Sequence, residues 1–146
     1  MSENCATQLP TTRIAIAQIP MHWEVDENVQ AMKAALLTAA RDRAAVCAFS
    51  ELALTGFHRR IVEWAKPEIV EPAIAEIQAV AASLGIAVVF GAPSFDADVA
   101  TDGQCLNSHL FISAAGQLVG VVSKVGLTEP EARFFGRGKS RPTIWL

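Results

Sequence analysis

Short apolar runs alternate along this chain with longer stretches in which apolar residues recur every three or four positions. The runs cover residues 13–19, which Pro20 ends, and residues 44–49 and 86–90. Continuous apolar runs of this length, rich in β-branched residues, are typical of buried strands. The alternation predicts two β-α-β units, which confines the chain to folds with helices packed on a sheet.

The two intervening stretches have the periodicity of amphipathic helices. The first has acids near its start and Arg41 near its end, an order that suits the helix dipole. The second covers residues 67–84 and is followed by Gly85, a typical C-cap. The apolar face predicted for the first helix consists of Val25, Val29, Met32 and Leu36.

A hairpin is predicted after the third strand. Residues 106–113 and 117–124 are strand-like, and the connection between them contains Gly116, which can adopt a positive φ. A hairpin added to two β-α-β units gives an α/β fold with a mixed sheet. Elsewhere we expect a disordered tail at residues 1–12, an exposed loop at 96–103 and the start of a strand at 143–146.

Composition excludes several classes of protein. Hydrophobic residues make up 51% of the 146 and charged residues 18%, which excludes intrinsic disorder and suits one domain. The net charge of −3 is too small and too evenly spread to indicate a nucleic-acid partner. We expect no membrane partner, because no apolar run approaches the roughly 18 residues of a membrane span. Three cysteines without metal-ligand spacing, and no signal peptide at the start, predict a reduced cytoplasmic protein.

Two charged residues stand at the ends of predicted strands. Glu51 directly follows the second strand, where side chains of α/β sheets often face a ligand crevice. Burial there would make its carboxylate a better general base, although many acids at strand ends simply begin a solvated loop. Lys124 shares strand parity with Leu118 and Val122. It is therefore either an inward lysine that needs a partner or an edge lysine that opposes aggregation.

These residues belong to a longer series of motifs. In chain order the motifs are the first strand with Gln18 and Asn28, the string from Phe49 through Glu51 to Gly56, residues 85–91, Asn107-Ser108 with Gly116, Gly120 and Lys124, and Glu131 to Phe135 with Gly138. In this order they resemble the N-terminal portion of the nitrilase superfamily, the carbon–nitrogen hydrolases. Ser50 departs from the pattern, because a proline commonly precedes the glutamate in that family.

The resemblance implies a fold, a chemistry and a set of site residues. The fold would be the front half of an α-β-β-α sandwich, with residues 1–146 forming a partial domain. Glu51 would be the general base, Lys124 would stabilise the oxyanion, and Glu131, rather than Glu129 beside Pro130, would support them. The implied substrate is a small-molecule amide or nitrile, with no metal or cofactor, and the implied assembly is a homo-oligomer.

The family's nucleophilic cysteine lies beyond its Phe-x-x-Gly motif, and residues 139–146 contain no cysteine. We expect Cys47 to be a buried apolar residue in its strand. Cys105 fits an exposed or edge position, and Cys5 falls in the predicted tail. The chain is therefore interpreted as a truncated form that is inactive alone.

Two functions remain open from the sequence. One is hydrolysis of a non-peptide C–N bond through a Glu-Lys-Cys triad in the intact protein. The other is a non-catalytic binding or assembly module that keeps half of the fold. His58, shortly after Glu51 and Gly56, is a candidate for lining a substrate pocket.

Overall fold

A computed structural model of the chain describes residues 11–58, 60–96 and 104–146. These ranges contain a sheet, three helices and a short 3-10 helix. The elements are β1 (Ile14–Ala17), α1 (Val25–Arg41), β2 (Val46–Phe49), α2 (Ile61–Trp64), α3 (Pro67–Leu84), β3 (Ala87–Ser94), β4 (Cys105–Ile112), β5 (Leu118–Ser123), the 3-10 helix (Glu131–Arg133) and β6 (Phe135–Gly136).

The sheet is mixed, as the sequence predicts. Its order is β1-β2-β3-β4-β5, and the short β6 pairs with β4. The first three strands are parallel, because a helix connects each to the next. β4 runs antiparallel to both β3 and β5, and the β4–β5 pair is the predicted hairpin.

Helices α1 and α3 pack on the same face of the sheet and form the main core with it. The face of α1 that the periodicity predicts is buried there, with Met32 and Leu36 fully inaccessible to solvent. Alternate residues of β2, β3 and β4 meet these helices, among them Phe49, Phe90 and Leu110. The α/β fold class is thereby confirmed.

Turn residues set the element boundaries as expected. α3 begins at Pro67, whose missing N–H costs nothing in the first helical turn, and ends at Gly85 with φ +62°. Gly116 in the hairpin has φ +77°. Its N–H donates to the Ser113 carbonyl at 2.8 Å.

The structure differs from the sequence predictions at several elements. β3 does not end at residue 90 but continues through Gly91, Ala92 and Pro93 to Ser94. Residues 143–146 form no strand. Cys105 is buried, with 7% of its surface exposed, and does not occupy an exposed position. α2, the 3-10 helix and β6 were not predicted. Residues 97–103 of the expected loop, and 1–10 of the expected tail, lie outside the described ranges.

The hairpin contains an irregularity that decides the direction of Lys124. Ile112 is opposite Leu118 and Phe111 is opposite Gly120, so that Val119 is an extra residue on β5. Beyond it, the Lys124 N–H donates to the Asn107 carbonyl at 2.7 Å. The expected parity of Lys124 with Leu118 is therefore wrong, because a bulge shifts the alternation by one residue.

The sheet face away from α1 and α3 carries an apolar row that crosses five strands. Pairing aligns the row as Ile16, Ala48, Val89, Phe111 and Gly120. Ile16 is 85% exposed, and Ile14 on the same face of β1 is 62% exposed. Within the described ranges, every helix is too short or too polar to cross a membrane.

Candidate active site

Lys124 lies between two carboxylates on the sheet face away from the helices. Its Nζ donates to Glu51 Oε1 at 2.8 Å and to Glu131 Oε1 at 2.6 Å. The structure therefore brings together all three site residues predicted from the sequence, which are 73 and 7 positions apart along the chain.

Glu51 is positioned by a close passage of its backbone over β3. The Gly91 N–H donates to the Ser50 carbonyl, and the Leu54 N–H donates to the Gly91 carbonyl, each at 3.2 Å. A Cβ atom at Gly91 would stand 2.1 Å from the Leu52 nitrogen and 2.7 Å from the Glu51 Cα. Glycine at this position therefore leaves the space through which the chain carries Glu51 onto the site face.

The two leucines after Glu51 fix this turn. Leu54 enters the main core, whereas Leu52 joins a smaller cluster that includes Ile61, Cys105 and Phe135. Both are fully buried. Leu52 has φ +49°, a left-handed conformation that is uncommon and costly for a residue with a Cβ. The burial of Leu52 and Leu54 in two separate clusters holds the backbone after Glu51 in this conformation.

Asn107 on β4 contacts both members of the Glu51–Lys124 pair. Its side-chain Nδ2 donates to Glu51 Oε1 at 2.6 Å. Its carbonyl accepts the Lys124 N–H, and the Lys124 carbonyl in turn accepts the Gly138 N–H at 2.9 Å. Asn107 is 3% exposed. The Asn107-Ser108 motif was noted in the sequence, but no role was predicted for the amide.

Glu131 is held by its own turn. Its Oε2 accepts the Thr128 N–H at 2.8 Å and the Thr128 hydroxyl at 3.0 Å. Glu131 is 7% exposed, whereas Glu129 pairs with Arg133 at the surface, where its side chain is 87% exposed. Of the two glutamates considered from the sequence, Glu131 is the one that contacts Lys124.

The ion pair between Lys124 and Glu131 shifts the pKa of each partner in the direction that favours its charged form. The hydrogen bonds that Lys124 donates to Glu131 and, with a smaller effect, to Glu51 raise the pKa of Lys124, against a smaller opposing effect of burial. The hydrogen bond from Lys124, followed by that from the Thr128 backbone, lowers the pKa of Glu131. The lysine is therefore a fixed positive charge throughout the neutral range.

The site opens into a cleft of about 290 Å³ lined by Glu51, Asn107, His109 and Lys124. The Glu51 side chain is 41% exposed and that of Lys124 is 34% exposed. The Glu51 side chain is therefore half-buried in this cleft. His109 is more enclosed, and burial lowers its pKa more than the charge of Glu51 raises it.

A second, apolar pocket of about 240 Å³ reaches the other side of Glu131. His58 lines this pocket and not the cleft of Glu51 and Lys124, and its Nε2 lies 3.1 Å from the Thr55 carbonyl oxygen. Its place in a substrate pocket stays a prediction. The remaining lining residues are Phe57, Ile61, Pro130, Phe134 and Phe135.

Neither of the two described cysteines is suited to nucleophilic attack. Cys47 is fully buried, as expected, and burial raises the pKa of its thiol to about 11. Burial also raises the pKa of the Cys105 thiol. A thiolate is the reactive form, and both environments suppress it at neutral pH. Within the described ranges, no three His, Cys, Asp or Glu side chains could together hold a metal ion.

Comparison with known proteins identifies the family. The family profile described as carbon-nitrogen hydrolase matches residues 13–144. The chain belongs to the carbon–nitrogen hydrolase family. No significant match was found among curated protein sequences.

Solved structures with the same fold come from the nitrilase superfamily. An amidase from Nesterenkonia sp. is 22% identical to this carbon–nitrogen hydrolase chain with a TM-score of 0.82, over 92% of this chain and 51% of the amidase. The NitN amidase from Nesterenkonia sp. AN1 is also 22% identical, with a TM-score of 0.83, over 93% of this chain and 53% of the amidase. A cysteine-to-alanine mutant of the amidase from Nesterenkonia sp. AN1, in complex with butyramide, is 22% identical with a TM-score of 0.83, over 92% of this chain and 51% of the amidase. The chain thus spans about half the length of the structures that it matches.

Proposed function

We propose that this chain supplies the general base and the oxyanion-stabilising charge of a hydrolase acting on a non-peptide C–N bond. The observation that carries the proposal is the contact of Lys124 Nζ with both Glu51 and Glu131 in an open cleft. In mutants of the structurally similar Nesterenkonia amidase, butyramide is the ligand of one complex and acrylamide has added to the active-site cysteine of another. A small amide is therefore the proposed substrate, and a nitrile is the alternative.

The proposed roles follow from charge and position. Glu51 accepts the proton of a thiol, which becomes the thiolate that attacks the substrate carbonyl. Lys124 stabilises the negative oxygen of the tetrahedral intermediate, and it is charged and held in place before the reaction begins. Glu131 fixes the position of the Lys124 ammonium through a second, more buried contact.

The thiol is proposed to come from residues outside the 146 of this chain. Cys47 and Cys105 are buried with raised thiol pKa values, which is unsuitable for a nucleophile. On this proposal the 146-residue chain alone hydrolyses neither amides nor nitriles, because the thioester intermediate cannot form.

The test compares the chain with the product of its complete reading frame. A cysteine on a Gly-x-x-x-Cys strand encoded within a few dozen codons after Leu146 is expected. The longer protein should hydrolyse short aliphatic amides, and Glu51→Gln and Lys124→Met should each abolish turnover. Glu129→Gln, which removes a nearby exposed carboxylate, is the matched control. Turnover by the 146-residue chain that Cys47→Ala abolishes would overturn the proposal.

A non-catalytic assembly module, which pairs with another copy or another chain, is the second candidate. The exposed Ile14 and Ile16 on the uncovered sheet face favour it. A stop codon after Leu146, together with a stable complex and no hydrolysis, would support this alternative.

A further inference from the structure

Glu51 uses its two carboxylate oxygens unequally. Oε1 accepts two hydrogen bonds, from Asn107 Nδ2 at 2.6 Å and from Lys124 Nζ at 2.8 Å. Within the part of the chain that the structure describes, Oε2 accepts none. The two oxygens of a carboxylate are chemically equivalent until their surroundings distinguish them, and here a neutral donor and a cation occupy the same one.

We propose that Asn107 is a positioning residue that holds Oε1 of Glu51 and thereby directs Oε2 toward the proton that this carboxylate accepts. The inference rests on the proposed function, in which Glu51 is the base. Asn107 touches neither the nucleophile nor the substrate in this assignment. It acts through the orientation and the ionisation of Glu51.

The place of Asn107 in the sheet makes this role possible. Asn107 is opposite Pro93 of β3 on one side of β4, and on the other side its carbonyl accepts the Lys124 N–H. The side chain is nearly inaccessible to solvent, so it has little freedom to leave the carboxylate. A neutral amide donor also adds no charge to a cluster that already holds one cation and two carboxylates.

Lys124 alone would not fix the carboxylate in the same way. Its ammonium can rotate and is shared with Glu131, whose contact is shorter. A flexible stem allows Glu51 to turn about the ion pair. A second donor from a rigid strand removes that freedom, and hydrogen bonds to the charged form of an acid also favour ionisation.

The closing experiment is an NMR titration of the 146-residue chain with ¹³C-labelled glutamate carboxyl groups. Glu51→Gln assigns the Glu51 signal. Asn107→Leu, which keeps the size but removes the donor, should move the Glu51 titration to higher pH. Asn107→Asp should move it further, because it adds another negative charge next to Glu51. His109 also titrates in the cleft, and Lys124 and Glu131 are the other charged groups there, so each variant is repeated with His109→Gln.

Ser108→Ala is the matched control on the same strand. Ser108 is 1% exposed and its hydroxyl lies 2.6 Å from that of Ser94 and 2.9 Å from that of Ser123, on the opposite face of β4. It should cost stability but leave the Glu51 titration unmoved. An unmoved titration in Asn107→Leu would overturn the inference, and so would an equal shift in Ser108→Ala.

The unmodified chain provides a measurement that does not depend on folding of a variant. The side-chain amide protons of Asn107 should shift as Glu51 titrates, and Glu51→Gln should abolish that response. No response in the unmodified chain would overturn the inference.

If the longer protein hydrolyses amides, Asn107→Leu should lower kcat about 10- to 100-fold with little change in KM, and the acid limb of the kcat/KM profile should move to higher pH. If the longer protein hydrolyses no amide, the proposed function fails. The NMR result still shows whether Asn107 donates its hydrogen bond to the Glu51 carboxylate.

Discussion

Lys124 is shared by two carboxylates whose surroundings differ. Glu131 is 7% exposed and also accepts two hydrogen bonds from Thr128, whereas the Glu51 side chain is 41% exposed and faces the cleft. Glu131 is thus committed to structure through both of its oxygens. Glu51 has one oxygen engaged and one available, which is the arrangement that a proton acceptor requires.

Replacing Glu131 should therefore destabilise the protein in a pH-dependent way. Glu131→Gln should lower the free energy of unfolding by about 1–3 kcal/mol at neutral pH, because it disrupts charge-assisted hydrogen bonds. The native pKa of Glu131 is lowered, so its contribution is complete above the ordinary carboxyl range and is lost as the pH falls through the native value. Urea unfolding at several pH values measures the difference, which should shrink in acid.

Glu129→Gln is the control for this measurement. Glu129 lies two positions away and its side chain is 87% exposed beside Arg133. Exposed pairs of this kind contribute little to stability. An equal loss in both variants, or a Glu131→Gln effect that does not change between neutral and acidic pH, would contradict the assignment of the stability to the Lys124 contact.

At the scale of residues, the sequence predicted which charges meet but not how they are held. Glu51, Lys124 and Glu131 stand in recognisable motifs, and the structure brings them together. The contact between Asn107 and Glu51 depends on the register of β4 against β3, which a single sequence does not specify. The exposure of Glu51 depends on the turn that carries its backbone across β3. Hydrophobic periodicity identifies helices and strands but does not predict an irregular turn of this kind.

Among the elements, β3 is the one on which the site most directly depends. Gly91→Ala would place a Cβ atom 2.1 Å from the Leu52 nitrogen, against backbone that cannot move without displacing Glu51. We expect a loss of about 1–3 kcal/mol or more, as in other overpacked sites. The NMR signal of the Glu51 carboxyl group should change as well, because its backbone is displaced. Thermal unfolding and NMR of the Glu51 carboxyl group measure the two effects.

Gly126→Ala is the matched glycine control. A Cβ atom at Gly126 would meet no heavy atom within 4 Å, and the backbone there does not need a positive φ. This variant should unfold like the unmodified protein and leave Glu51 unchanged. Equal behaviour of Gly91→Ala and Gly126→Ala would show that the close approach at β3 has no consequence.

The boundaries of the long elements were predictable because local chemistry sets them. Pro67 and Gly85 define α3 in the sequence as they do in the structure. The end of β3 was predicted too early because Pro93 usually interrupts a strand. β2 pairs with β3 only as far as Val89, so Pro93 lies where β4 is the remaining partner. A proline is tolerated at such an edge-like position. α2 and β6 are too short to have a detectable period.

At the scale of the whole molecule, one face of the sheet is covered by helices and the other carries exposed apolar side chains. Ile14 and Ile16 are the most exposed aliphatic residues of β1. Apolar surface of this kind favours association in water. We expect the isolated chain to self-associate, and a double substitution of Ile14→Thr and Ile16→Lys to shift it toward monomer in light scattering coupled to sizing chromatography.

Leu37→Lys provides the control for that experiment. Leu37 is 44% exposed but lies on α1, away from the uncovered face. Its substitution removes exposed apolar surface and adds a charge, as Ile16→Lys does, yet should leave the association unchanged. A monomeric chain at all concentrations, or an equal effect of both changes, would contradict a role for the β1 face.

The bulge at Val119 gives β5 one residue more than its pairing with β4 requires. Lys124 faces Glu51 because the number of residues between the turn and the end of β5 has the right parity after the bulge is counted. A deletion of one residue in β5 could be absorbed by straightening the bulge, with Lys124 still opposite Asn107. After a second deletion no bulge would remain to compensate, so the alternation of β5 would shift by one residue and the Lys124 ammonium would point toward the helices. The position of the Lys124 ammonium is therefore insensitive to the deletion of one residue in β5.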